Sequence, residues 1–153
     1  MAQAVDFKRT RRLLLIHLIV QILLLALLVY MAFHFQGLFR AKGIPQAFLN
    51  SIIVSIVVQL LAYWPISKFA GSEARREVAA EAGTLTADQQ KGLRNKRLLG
   101  DFVKASVFLF FAAFIGMAPG ATSVMCIAFF SFILTTITYF QCFNFAARRA
   151  MKS

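Results

Sequence analysis

Polar side chains that could do chemistry fall into two sets in this chain, one embedded in apolar runs and one outside them. In the embedded set, Ser51, Ser55 and Gln59 recur every four residues, as do His17 and Gln21, so each group shares one helix face. Ser131, Thr135 and Thr138 have the spacing of a packing seam. Counted inward from the basic end of each apolar run, Gln21, Gln59 and Thr138 all lie roughly 10 Å deep at ~1.5 Å per residue. His17, Tyr63, Ser106 and Gln141 lie one turn nearer that end. Two chemistries suit a layer made of His17, Gln21, Gln59, Tyr63, Ser106, Thr135, Thr138 and Gln141. One is hydrogen bonding between helices, which glues spans together. The other is a polar cavity for a lipid head group or small solute. His17 is a titratable group for a proton relay, or a core histidine satisfied by a neighbour.

The second set is the stretch EARREVAAEAGTLTADQQKGLRNKRLLGD, Glu73 to Asp101, polar and charge-laced in an otherwise greasy chain. Glu73, Glu77, Glu81 and Asp88 come early, whereas Lys91, Arg94, Lys96 and Arg97 come late, the order a helix dipole favours. Gly83 suits a left-handed cap, and Thr86 with Gln89 three residues on forms a capping box. The stretch therefore predicts a helical elbow. Its basic end, Lys91, Arg94, Lys96 and Arg97, abuts an apolar run and is a contact for anionic head groups or a dock for a protein partner.

Catalytic constellations are missing. Cys126 and Cys142 share one apolar run without C-x-x-C spacing or a neighbouring His or carboxylate, and read as small buried hydrophobes. No carboxylate lies deeper than Asp101, which argues against a proton-coupled antiporter of the small multidrug type. The absence of paired cysteines argues against a quinone-linked thiol oxidoreductase. No catalytic residue, metal ligand or cofactor is expected, and the reading leans away from an enzyme.

These residues need elements to hold them. With 59% hydrophobic residues, 17 Phe and a mean hydropathy of +0.70, the chain is well above the roughly 45–50% apolar share of soluble domains. It reads as one all-α membrane domain, 1–153, with spans at about 13–35, 47–66, 98–118 and 121–147 and a loop at 69–100. Span three reaches membrane length only by including Asp101 and Lys104, three residues apart and able to pair. Pro119-Gly120 predicts a tight turn between spans three and four.

The formal charge of +11 is distributed between spans, so membrane topology accounts for it and nucleic acid is not expected. Fifteen of the 17 Lys and Arg fall on one side, leaving Arg40 and Lys42 on the other. The positive-inside rule then puts both termini and the elbow in the cytoplasm, in a cytoplasmic (inner) membrane. The expected role is a non-enzymatic accessory or assembly subunit of a larger membrane complex, or a self-associating protein. The alternatives are a homo-oligomeric channel or small-solute facilitator using the faces of Gln21, Gln59, Ser131 and Thr135, and a lipid-binding protein using the polar layer near the cytoplasm.

Overall fold

A computed structural model describes residues 7–83, 86–117 and 120–152, apart from the side chain of Ala87. Among the described residues four helices follow one another: α1 (Lys8–Ala41), α2 (Pro45–Glu81), α3 (Ala87–Met117) and α4 (Thr122–Ala150). All four are long and apolar enough to cross a membrane, and the described residues contain no strand. The chain has the build of a multi-pass membrane protein.

The helices outrun the apolar segments. The sequence separates a span ending at Ile66 from a helix over the following polar residues, yet α2 runs through Pro65 to Glu81 without a break. The reason lies in its far end, where Ala70, Ala74 and Val78 pack against Phe143 and Ala147 of α4 and Leu14 of α1. That packing continues the helix past the proline, whose missing N–H removes one ladder bond. Likewise α3 begins at Ala87, not near Leu98, so the polar stretch is the extended ends of two long helices around a short turn. Gly83 in that turn has φ of 68°, the left-handed region its lack of a side chain allows. The Thr86 amide donates to Gln89 Oε1 (3.0 Å) and the Gln89 amide to Thr86 Oγ1 (3.4 Å), the capping box read from the sequence. The expected Pro119 turn lies outside the described residues.

The most intimate pair is α2 with α4. These two run parallel, since Ser55 meets Ile127, Gln59 meets Thr138 and Gly71 meets Ala146 in ascending order. By contrast α1 is antiparallel to α4, with His17 at Asn144 and Phe35 at Phe130. Among the described residues α1 and α3 each pack on the α2–α4 pair and not on each other. One apolar cluster, Phe35, Phe39, Cys126 and Phe130, closes the end near the α1–α2 turn. The other, built on Ala70, Ala74, Phe143 and Ala147, closes the opposite end, where Phe7 and Met151 pack against it.

α1 has no side-chain cap of its own at Phe7. Glu81, the last residue of α2, supplies one. Its carboxylate accepts from the Arg9 amide (2.7 Å), the Thr10 amide (2.9 Å) and the Thr10 hydroxyl (2.5 Å). Burial raises the carboxyl's pKa, but these hydrogen bonds and the Arg9 charge outweigh it, and Glu81 titrates below its ordinary value.

Candidate functional site

Between the two apolar clusters, the α2–α4 pair meets through small and polar residues. Gln59 Nε2 donates to Thr138 Oγ1 (2.6 Å), and Thr135 Oγ1 donates to Gln59 Oε1 (3.1 Å). Ser55 donates to the Ser51 carbonyl of its own helix (2.8 Å) and reaches the Ile127 carbonyl of α4 (3.4 Å). Three of the eight residues expected to form one layer therefore bond together, each satisfying another across the seam.

The other five separate from them. His17 Nδ1 lies 3.1 Å from Asn144 Oδ1, and its ring stands edge-on to Phe143 and tilted over Phe140. That is a core histidine with a partner, and Asn144, its partner, is one the sequence reading missed. Gln21 is buried, with Nε2 lacking a hydrogen-bond partner among the described residues, as does Ser131 Oγ. Tyr63, Ser106 and Gln141 are exposed, and Ser106 returns its hydroxyl to the Phe102 carbonyl of its own helix (2.9 Å). The four-residue periodicity identified shared faces correctly but carried no information on which faces meet.

On the other side of the bundle α3 touches α2 lightly and leaves a groove of about 960 Å³ between α2, α3 and α4. This is at the upper end of the roughly 300–1,000 Å³ of small-molecule sites. Its walls include Pro65 and Phe69 of α2, Val107 and Phe108 of α3, and Phe132 and Phe140 of α4. Bulky rings and branched side chains on all three helices hold the backbones apart here. Thr135 and Thr136 also border it, but Thr136 gives its hydroxyl to the Phe132 carbonyl (2.9 Å).

Lys104 and Tyr139 mark the polar end of this groove, where both join a cluster of charges. Lys104 Nζ donates to Glu73 (3.0 Å) and to Asp101 (2.9 Å), and lies 5.9 Å from the centre of the Tyr139 ring. The Tyr139 hydroxyl donates to the second oxygen of Glu73 (2.5 Å). The expected Asp101–Lys104 pair is thus one arm of a four-residue network. Glu73 reads in the sequence only as one of the early acids of the polar stretch, and Tyr139 was not singled out. The available signal was Gly100, a helix-interior glycine that costs about 1 kcal/mol without a packing reason. A Cβ there would lie 3.1 Å from Glu73 Oε1, so a side chain in place of the glycine would make the carboxylate yield by a few tenths of an ångström.

One turn beyond, Arg97 holds Glu77 in a two-pronged pair (Nε 2.6 Å, Nη2 2.7 Å), and that hydrogen bonding raises the guanidinium pKa. Of the four basic residues expected to face lipid or a partner, Arg97 is therefore engaged within the fold. Lys91, Arg94 and Lys96 are exposed. Among the described residues no three His, Cys, Asp or Glu side chains gather as a metal site. The arrangement can bind an amphiphile, with apolar walls for a chain and a charged end for its head. No protein-family model, curated protein or solved structure matches this chain.

Proposed function

We propose that this is a non-enzymatic, multi-pass membrane protein whose α2–α3–α4 groove holds a membrane lipid, with both termini and the α2–α3 turn in the cytoplasm. The observation that carries the reading is the groove itself: apolar along most of its walls, charged at one end only, and bordered there by Lys104 and Tyr139. An apolar groove within a bilayer has no polar partners to offer water, so acyl chains are its natural filling. The orientation is supported by the positive-inside count, and it puts the charged end at the level of the inner head groups. The exposed Lys91, Arg94 and Lys96 then face the same anionic surface.

An accessory or assembly role is the second reading, favoured by α3, where every residue from 101 to 110 is exposed. A homo-oligomeric channel is less well supported, because Gln59 and Thr135 use their polar groups on each other. Native mass spectrometry of the protein taken from its own membranes in a mild detergent tests the choice. A chain carrying bound lipid is expected. Unlike subunits without lipid would move the assignment to the accessory role, and a bare homo-oligomer would move it to the channel.

A further inference from the structure

Acyl chains gain nothing by leaving other acyl chains for a groove of Phe, Val and Pro, because lipid tails are as apolar as the groove. Any preference for one lipid must therefore arise at the polar end. Resting on the lipid-binding reading above, we infer that the groove selects a zwitterionic phospholipid with a primary ammonium, the phosphoethanolamine head group, over anionic and choline-bearing ones.

The charges at that end set the class. Lys104 brings one positive charge between Glu73 and Asp101, and the neighbouring Arg97 and Glu77 neutralise each other. An anion alone meets two carboxylates there, and a cation alone meets Lys104. A zwitterion satisfies both signs. The ammonium of Lys104 has three N–H donors, of which Glu73 and Asp101 take two, leaving one for a phosphate oxygen. Among the described residues Asp101 pairs with Lys104 through one oxygen, and its side chain is 71% exposed, so it offers acceptor sites toward the head-group layer. A primary ammonium donates N–H hydrogen bonds to that carboxylate, whereas a choline nitrogen has no hydrogen to give. Glu73 is less available, because Tyr139 and Lys104 occupy both its oxygens.

Native mass spectrometry of the full chain in micelles doped equally with phosphatidylethanolamine, phosphatidylcholine and phosphatidylglycerol of identical chains provides the test. The ethanolamine lipid is expected to be retained about threefold over each of the others, the size of one solvent-accessible ion pair. Asp101→Asn, which removes the charge but keeps an acceptor, is expected to narrow its lead over the choline lipid. Equal retention of all three lipids, a lead for phosphatidylglycerol, or an ethanolamine preference unchanged in Asp101→Asn would overturn the head-group inference. Ala105→Trp, which fills the groove, separates this from the underlying reading, with Val107→Trp as the substitute should its melting show misfolding. Lipid of every class is expected to be lost. If none is lost, groove binding itself falls, and if all three are lost without any preference in the parent protein, only the head-group assignment falls.

Discussion

The two faces of α2 make opposite kinds of contact. Toward α4 it presents Ser51, Ser55, Gln59, Gly71 and Ala74, and the helices close tightly along their length. Toward α3 it presents Pro65, Ile66 and Phe69, and the helices part until Glu73 and Glu77 take hold of Lys104 and Arg97. In water the second face would be the stickier one. In lipid the order inverts, because apolar surface is already solvated and only small residues or polar bonds reward close approach. The tight side is thus structural, and the loose side is the one left able to hold a ligand.

The largest expected effect breaks the tight side. Ser55 is 1% exposed against the α4 backbone, so Ser55→Leu overpacks the seam and should cost about 1–3 kcal/mol, read as a fall in melting temperature in detergent. A comparable enlargement on the loose helix, Ala113→Leu at an exposed position, should stay within about 0.5 kcal/mol. Equal effects at both positions would erase the distinction between the faces. Gln59→Leu sharpens it by removing the two polar bonds alone, with an expected loss on the order of 1 kcal/mol, roughly 0.6 kcal/mol for each, and unchanged lipid retention. Lost retention at unchanged stability would instead make Gln59 part of the ligand site.

The smallest effect lies on neither face. Glu81 is held below its ordinary pKa by α1, so its contribution is complete above the ordinary carboxylate value of about 4.3 and is lost as pH falls through the lower folded value. Melting followed from pH 6 to 3 should therefore decline at the acid end, and Glu81→Gln should flatten part of that decline. Identical curves for the two proteins would remove the cap from the list of stabilising contacts.

Much of the architecture was legible because it follows from periodicity and run length. Four spans, the Thr86–Gln89 capping box, the left-handed Gly83 and the Asp101–Lys104 pair all depend on residues near one another in sequence. The site was less legible, since it depends on which faces of different helices meet. Glu77 and Glu81 have the pattern of a solvated charged face, yet one binds Arg97 and the other caps α1. Tyr63 and Gln141 fall at the same depth as His17, which finds Asn144, but their helix faces are exposed. Depth can be counted along a chain, whereas azimuth around a helix is decided by the partner.

The cap on α1 also bears on the order of assembly. Arg9 and Glu81 are 72 positions apart, so the first helix emerges from the ribosome long before the carboxylate that finishes its start has been made. Until the whole of α2 has followed, the Arg9 and Thr10 amides lack the carboxylate that accepts from them. Its closing records that the α1–α2 hairpin is complete, which makes the opening turn of α1 one of the last parts of that hairpin to settle.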